Sequence, residues 1–532
     1  MSFKENNCQQ LSFTDSFSGL TSREQKALEK SWAKVFADEI FPAIDETRFA
    51  VLYSDKASRP NSPVNVTVGA LIIKELFDYS DDEMVENLML DLHLQYALHT
   101  TSFHEQPLSD KSLSRFRKRC YDYEKLYNVD LYHDCVTDLS SKIAKLMNIN
   151  GRVRRMDSMM IESNIRKLSR MELLYTCIAK LVTYLKDKQP TMVSEALVHY
   201  CDPNDFNKVI YHQRSTDAEF RVLELLDDAD KLIELCNTKY ENITEYELFI
   251  RCISEQTIVD DGRRRLRTKE DETMTATALQ NPSDPEATFR KKANKEHRGY
   301  VANLEESVGM NGSVVTEYQY EQNTHSDSQF LKDHLNKMEK QDETITLITD
   351  GAYSGVENQS LAKEKNIVLI TTSLTGRDTA DIMAEFTFNE DGTKVLHCPA
   401  GHEPKSCSYM KPSGQCSVSF QRELCASCPY QDQCKPKVFK RVSKVITSKT
   451  ASERAKTQRK MQGEQFKNYA KLRNGVETIP SNLRMNYHLE KIPRGKQRGK
   501  FFLGCKVAAL NFKKLFNFRK GLGNYAQNPV IA

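Results

Sequence analysis

The chain has 532 residues, more than one hydrophobic core usually organises, so roughly two to four domains are expected. The net charge is only +3, but residues 437–520 contain 23 lysines and arginines against four glutamates and no aspartate, so this region carries +19 and the rest −16. Such a region can neutralise a polyphosphate backbone. No apolar run is long enough to span a membrane, and the first residues do not resemble a secretion signal. These features predict a soluble, intracellular protein.

The first 145 residues have the apolar periodicity of short-looped helices, as in VGALIIKELFDYSDDEMVENLMLDLHLQYAL. After the break HEQPLSD, either Ser109 or Asp110 is placed to cap a further helix. That helix displays four cations, Arg115, Arg117, Lys118 and Arg119. A solvated helix face gives such a pattern about as often as a helix laid against DNA. We expect residues 1–145 to form a helical DNA-binding domain.

A strand, a helical module and a second strand-rich stretch follow. GRVRRMDSMMIESN, residues 151–164, predicts a strand that runs through Asp157. Residues 165–295 are predicted to be a mainly helical insertion that leaves through a polar loop at 263–299. GYVANLEESV and SVVTEYQYEQ, joined by GMNG, then predict a hairpin.

The stretch after the hairpin alternates helices and strands. A helix at DSQFLKDHLNKMEKQ, a strand ETITLITD ending on Asp350, a helix at NQSLAKEKN and a strand IVLITTSL are predicted in that order. This order is typical of an RNase H-like mixed sheet, in which the first and fourth strands are neighbours. Asp157 and Asp350 would then lie close together. The alternative is that Asp350 only begins a turn or caps a helix.

A third acid completes a possible metal site. Two carboxylates on adjacent strands can hold a divalent cation, and a third allows the two-metal arrangement of phosphoryl transfer. Glu477 is the best candidate, since Tyr469, Arg473 and Glu477 recur every four residues and would share one helix face, with Arg484 further along. A simple surface pair between Arg473 and Glu477 is the alternative for that spacing. Glu162 is a lower-ranked third carboxylate.

Six of the fourteen cysteines crowd into residues 398–434, which favours metal over disulfides in a cytosolic chain. Four thiolates suit a structural tetrahedral Zn²⁺, and the proposed ligands are Cys398, Cys425, Cys428 and Cys434. The spare candidates are Cys407, Cys416, His397 and His402. Free cysteines in a knuckle that has lost its metal are the alternative, and a redox CxxC is disfavoured because no thioredoxin-like context surrounds it.

The segments DSMMIESN, TDGAYSG and YAKLRNGVETIPSNLR together resemble the DDE transposases of bacterial insertion sequences. The resemblance runs over about residues 41–515, to the branch of the large RNase H-like group with a helical N-terminal domain and a cysteine cluster before the last acid. It implies that Asp157, Asp350 and Glu477 hold two Mg²⁺ ions. It also implies helper or phosphate-binding roles for Tyr469, Arg473 and Arg484. Tyr469 is one residue further from Arg473 than in the usual signature, and Arg484 stands in the place of a lysine.

The resemblance implies a transposase that cleaves and transfers DNA strands at the inverted ends of its own element. The resemblance also implies that the partner is double-stranded DNA, both element ends and target, and that the protein forms a homodimer when assembled there. It further implies a bacterial cytoplasmic protein that associates with the nucleoid when bound. The alternatives are a catalytically silent DNA-binding repressor and a plain metal-dependent nuclease. The cations expected to contact DNA are Arg115, Arg117, Lys118, Arg119, Lys496, Arg498 and Lys500. Arg115 and Arg117 are expected to read sequence in a groove, and the last three to contact phosphates.

The expected fold class is therefore α/β, an RNase H-like core with a helical N-terminal domain and two insertions. The predicted boundaries are 1–145 for the N-terminal domain, 150–164 with 296–390 for the first part of the core, 165–295 for the helical insertion, 391–440 for the zinc-knuckle insertion and 441–525 for the basic last part of the core.

Overall fold

The computed structural model describes most of the chain. The described residues are 1–6, 17, 19–56, 58–100, 108–211, 218–236, 240, 242–271, 275–292, 294–373 and 378–522. The helices are α1 Ser22–Glu29, α2 Trp32–Val35, α3 Val64–Phe77, α4 Asp81–Leu90, α5 Leu92–Ala97, α6 Ser112–Tyr127, α7 Leu131–Leu146, α8 Arg170–Lys188, α9 Asp205–Ile210, α10 Ala218–Cys236, α11 Thr244–Gln256, α12 Asp327–Lys337, α13 Val356–Glu364, α14 Arg422–Ala426, α15 Gln431–Cys434, α16 Lys449–Met461, α17 Glu464–Asn474, α18 Thr478–Asn486 and α19 Lys496–Arg519. The strands are β1 Val153–Glu162, β2 Thr257–Asp260, β3 Arg263–Leu266, β4 Thr288–Lys292, β5 Lys295–Gly309, β6 Gly312–Gln322, β7 Ile345–Thr349, β8 Ile367–Thr371, β9 Thr387–Phe388, β10 Val395–His397, β11 Ser406–Met410, β12 Gln415–Gln421, β13 Lys437–Val438 and β14 Val442–Thr447. No helix within these described ranges is both long and apolar enough to cross a membrane.

The chain divides into two compact units, each made of separate segments. The first contains Met1–Arg152, Asp157–Asp333 and the described part of Thr478–Ala526. The second contains Val153–Met156 and His334–Glu477. Strand β1 therefore contributes its first four residues to the second unit and the remainder to the first.

The first unit has a helical core around α19. This helix buries residues on all of its sides and packs against α3, α7 and β6. Its one deeply buried cation, Lys506, donates 2.6 Å bonds to the Glu75 carboxylate and to the Tyr487 carbonyl, which compensates the cost of burial. A capping box at Ser80 and Glu83 fixes the start of α4.

The first unit also contains the hairpin and the helical insertion. Strands β5 and β6 pair antiparallel and are closed by the two-residue turn Met310–Asn311, and β4 pairs antiparallel with the start of β5. The remaining part of β1 is the other neighbour of β5. Helices α8, α10 and α11 enclose a separate apolar cluster that includes Ile178, Leu232 and Phe249. The sequence predicted this hairpin and this helical module.

The second unit contains parallel strands and a small antiparallel sheet. Residues 153–155 pair parallel with residues 346–348 of β7, and β7 pairs parallel with β8. The small sheet has the order β11–β12–β14–β13 and packs around Phe386, Val418 and Phe420. Together the two units give a mixed α/β protein with parallel and antiparallel strand pairs. The sequence predicted that the first and fourth strands are neighbours. The pairing of β1 with β7, which is parallel, confirms this prediction.

Strand β1 runs through Asp157, as the sequence predicted, and continues to Glu162, with Met159 and Ile161 alternating into the core. Three local predictions were wrong. The predicted helix through Glu477 is interrupted, since α17 ends at Asn474 and Gly475–Glu477 is a 3₁₀ turn.

The predicted loop at 263–299 contains β3, β4 and the start of β5. The polar residues there pair with one another: Arg265 forms ion pairs of 2.8 Å with both Asp260 and Asp271. Residues 272–274 and 293 of that stretch lie outside the described residues. Neither predicted cap of α6 is used, because the N-cap is Lys111 and makes no side-chain cap bond.

Candidate active site

Asp350 lies directly after β7 in the second unit. Its Oδ1 accepts the Ala352 N–H at 2.8 Å, so it caps the 3₁₀ turn Gly351–Tyr353. The Gly351 N–H donates to Ser373 Oγ at 3.0 Å, which ties this turn to the residues after β8. The cap uses only one carboxylate oxygen of a side chain that is 31% exposed. Asp350 thus caps a turn and also keeps an oxygen available at the carboxyl end of a parallel strand, where α/β sheets commonly bind ligands.

Arg473 links Asp350 to Glu477. Its Nη1 donates to Glu477 Oε1 at 2.6 Å, and its Nη2 lies 3.8 Å from Asp350 Oδ2. The arginine side chain is 15% exposed, whereas that of Glu477 is 61% exposed. Two of the three predicted acids therefore face one cation, although the helix that was expected to align them is broken. Tyr469 lies one turn earlier on α17 and contacts the ring of Phe466 edge-on.

The turn that carries Glu477 lies against a buried arginine of β1. Arg155 donates from Nη1 to the Leu472 carbonyl at 2.6 Å, within the second unit. A Cβ at position 475 would lie 2.1 Å from the same nitrogen, so any other residue there would displace this guanidinium. Arg155 and Gly475 thereby fix where α17 ends.

Asp157 lies in the middle of β1, in the first unit, and is half-buried. Its Oδ1 accepts the N–H of Ser158 at 2.9 Å. The Ser158 hydroxyl points to the other face of the strand, where it donates to the buried Asp327 at 2.5 Å. Asp327 begins α12 and holds this part of β1 from the face opposite to Asp157.

Glu162 and Arg484 both form hydrogen bonds near the C-terminal end of β1. Glu162 accepts from His297 Nδ1 at 2.7 Å and from the Arg298 N–H at 3.1 Å. It is five residues after Asp157, so strand alternation directs it to the opposite face. Arg484 on α18 donates to the Met160 carbonyl at 3.0 Å.

The four predicted zinc ligands line one cavity of about 30 Å³ in the second unit, together with His402. The backbone around them forms tight turns: the Cys428 N–H donates to the Cys425 carbonyl at 3.4 Å and the Cys434 N–H to the Tyr430 carbonyl at 2.9 Å. Cys407 lies on β11 opposite Val418 and Cys416 lies on β12 opposite Tyr409, and neither is among the residues that line this cavity. Over the residues that the structure describes, no three His, Cys, Asp or Glu side chains are arranged to hold a metal ion, and the thiols are free.

The predicted DNA-binding cations differ in how they are engaged. Lys118 is 74% exposed and pairs with Asp122 one turn later. Arg117 is 11% exposed, forms an ion pair with Asp81 and covers the ring of Phe502. The side chain of Arg117 is therefore largely buried and its charge is paired, so it is not displayed on the outer surface of α6.

The second group of cations begins α19. Lys496 pairs with Glu321 at 2.5 Å, and Lys500 pairs with Asp130 at 2.7 Å. Arg498 is exposed between them.

Three residues of this region were not found from sequence: Arg155, Asp327 and Gly475. The run RVRR before Asp157 contains an arginine two residues ahead of the acid. Because alternate residues of a strand point to the same face, this spacing could have indicated Arg155. The glycine in RNGVE marked the helix end. Asp327 is 169 residues from its partner Ser158, and no local pattern indicates that contact.

Two family models match parts of the chain. Residues 397–516 match a family described as a transposase DDE domain, and residues 24–119 match one described as a transposase domain, DUF772. The first match includes Glu477 and the cysteines. No curated protein matches significantly. A solved structure, the cryo-EM structure of a piggyBac transposase synaptic complex with hairpin DNA, matches at 12% identity and a TM-score of 0.18, covering 69% of this chain and 87% of the other.

Proposed function

The chain is a DDE transposase of the insertion-sequence type, and we propose that Asp157, Asp350 and Glu477 are the three acids of its active site. The observation that carries this proposal is the Arg473 guanidinium, which faces both Asp350 and Glu477. Two carboxylates turned towards one cation indicate a position that favours positive charge.

The position of Asp157 in β1 supports its inclusion. Within the second unit, Arg155 of β1 pairs with Ile348 of β7. In the sequence, Asp157 follows Arg155 by two residues and Asp350 follows Ile348 by two residues. This parallel pairing, with the order of hairpin, helix and strands, supports an RNase H-like core.

The donor set fits magnesium. Carboxylate oxygens are the ligands that Mg²⁺ prefers, and two such ions would activate the attacking water or 3′-hydroxyl and stabilise the departing oxygen. Arg473 would orient the carboxylates of Asp350 and Glu477. When DNA binds, its guanidinium would contact a phosphate bidentately. Arg484 would hold the part of β1 after Asp157 in place through its bond to the Met160 carbonyl. Tyr469 would lie one turn before Arg473 on α17.

The cysteine cluster is proposed to hold one structural Zn²⁺. Its support is that Cys398, Cys425, Cys428 and Cys434 line a single cavity and that Cys425 and Cys428 have the CxxC spacing typical of structural zinc sites. His402 on the cavity wall remains a possible replacement for one thiol. The ion would stabilise the small sheet region at 391–440, which we propose as a separate insertion within the predicted domain boundaries.

Double-stranded DNA is the proposed partner, bound by a homodimer. On α6 the proposed contacts are Arg115, Lys118 and Arg119, and Arg117 is omitted because it pairs with Asp81. At the start of α19 they are Lys496, Arg498 and Lys500, of which Arg498 is the most accessible. Phosphate contacts of this kind give affinity without sequence information.

A cleavage assay tests the proposed activity. The purified protein is incubated with Mg²⁺ and DNA carrying candidate element ends, and the nicks are mapped. Cleavage at the ends supports the transposase chemistry, cleavage without end preference indicates a plain nuclease, and binding without cleavage indicates a repressor. The presence of all three acids favours the first result.

A further inference from the structure

The N-terminal part of the first unit contains a polar cavity of about 400 Å³. It lies between the start of α6 and the segment that precedes α3. Three arginines line it, Arg59, Arg115 and Arg119, and none of the described lining residues is a carboxylate. A concave surface with this lining has the charge of an anion site.

The three arginines differ from their neighbour Arg117 in their partners. Arg117 is neutralised by Asp81. Within the described part of the chain, none of the three lining arginines forms an ion pair with a carboxylate. Arg119 instead lies over the ring of Tyr53, with its guanidinium carbon 4.8 Å from the ring centre, which holds this long side chain in place. The positive charge of the cavity is therefore not cancelled from within the described chain.

Serine hydroxyls complete the lining. Ser112 Oγ accepts the Ser109 N–H at 2.9 Å and lies 3.3 Å from Ser62 Oγ. The two hydroxyls connect the start of α6 to the segment before α3, which are separated by 50 residues. Guanidinium and hydroxyl groups are the side chains that most often bind phosphate oxygens of DNA.

We propose that this cavity binds a backbone phosphate of DNA, so that Arg115 and Arg119 contribute affinity and do not read base edges. The proposal rests on the proposed function only in taking DNA as the partner. Guanidiniums that converge in a concavity enclose a protruding phosphate, whereas base reading requires side chains that project from a convex helix into a groove. Arg59, which no sequence pattern singled out, becomes a DNA contact.

The test measures DNA binding of the full-length protein by fluorescence anisotropy across a salt titration. The variants are Arg59→Gln, Arg115→Gln and Arg119→Gln. Lys142→Gln, which removes one exposed charge from α7 outside the cavity, is the matched control. Each cavity variant should weaken binding about three- to tenfold and lower the slope of log affinity against log salt by about one, equally for element ends and unrelated DNA.

Two results would overturn the proposal. One is a set of cavity variants that behave like Lys142→Gln. The other is a loss confined to element-end DNA, which would assign these arginines to base reading. Because Arg59 is exposed, its variant keeps the test valid even if Arg119→Gln lowers the melting temperature.

A second arm separates DNA from free phosphate as the source of the ligand. Thermal melting is measured with inorganic phosphate and with chloride at matched ionic strength. A phosphate shift that Arg59→Gln abolishes, with unchanged DNA affinity, would assign the cavity to a small anion and overturn the DNA assignment. Weaker DNA binding, with or without that shift, supports it. Strand cleavage is scored separately, so a wild type that does not nick DNA would reject the proposed activity while leaving the binding result intact.

Discussion

Arg473 and Glu477 form an ion pair of 2.6 Å across the end of α17, with the arginine largely buried and the glutamate largely exposed. An ion pair in which one partner is largely exposed contributes little to stability. The same guanidinium also lies near Asp350, however, so its position is set by two acids from separate elements. That arrangement is more useful for orienting carboxylates than for stabilising a helix.

The first prediction concerns the three acids. Asp157→Asn, Asp350→Asn and Glu477→Gln should each abolish strand cleavage and leave DNA affinity largely unchanged. Each change removes a negative metal ligand while preserving side-chain shape, and none removes a cation that contacts phosphate. Cleavage is measured on labelled DNA ends with Mg²⁺, and affinity by anisotropy on the same DNA.

Glu162→Gln is the matched control for these variants. Glu162 lies on the same strand as Asp157 but faces His297. Its change should leave cleavage near the wild-type rate. If Glu477→Gln cleaves normally and Glu162→Gln does not, the third acid has been assigned to the wrong residue.

The second prediction concerns Gly475. Gly475→Ala should lower both stability and cleavage, because the added Cβ meets the buried Arg155 guanidinium at 2.1 Å. Overpacking of this kind costs about 1–3 kcal/mol, and relief of the clash would move the turn that carries Glu477. Urea unfolding and the cleavage assay measure the two effects. Asn474→Ala, on the exposed neighbouring residue, should change neither, and equal effects of the two variants would contradict the role of Gly475.

Periodicity predicted most of the fold because the elements follow local patterns. The β5–β6 hairpin, α12, β7, α13 and β8 all lie where alternating or helical apolar spacing indicated them. The sequence predicted that β1 runs through Asp157 but did not indicate how far it continues, because Asp157 and Ser158 interrupt the apolar pattern that Met159 and Ile161 resume. The β4 strand was missed because its residues are polar and are ordered by pairing with β5.

The candidate site was only partly predictable for a related reason. Asp350, Arg473 and Glu477 carry short motifs, so sequence named them, and the structure brings these three together. Whether Asp157 joins them stays a prediction. The contact between Arg155 and Leu472 joins residues 317 positions apart, and no spacing rule reaches that far. The ion pair between Arg117 and Asp81 could not be predicted either, because the sequence of a basic run does not show which of its side chains are paired and which are exposed.

The third prediction concerns the cysteine cluster. Native mass spectrometry should find one Zn²⁺ per chain, and Cys425→Ser or Cys428→Ser should lose it together with thermal stability, because metal binding and local folding are coupled. Cys201→Ser, at a partly exposed cysteine of the helical insertion, is the control and should retain the metal. A metal-free wild type with the same melting temperature as both cluster variants would remove zinc from the proposal.

The last prediction is a pH dependence of stability that arises at His133. Its Nε2 is 2.6 Å from Glu317 Oε1, and its Nδ1 is 3.5 Å from Asp134. Burial disfavours the charged imidazole, but the bonds to Asp134 and Glu317 outweigh it and raise the pKa of His133 to about 9, against the small opposing effect of Lys500.

A histidine with a raised pKa in the folded state binds its proton more tightly when folded, so it stabilises the protein fully below its unfolded pKa, about 6.5. This stabilisation should disappear as the pH rises through about 9. Between about pH 6 and pH 9.5 the wild type should lose on the order of 1–3 kcal/mol of unfolding free energy more than His133→Gln/Glu317→Gln, in which the pair is replaced by neutral groups. Urea unfolding of both proteins at the two pH values measures the difference, and the double variant corrects for cysteines and lysines that titrate in the same range. Parallel pH profiles for the two proteins would show that folding does not raise the pKa of His133.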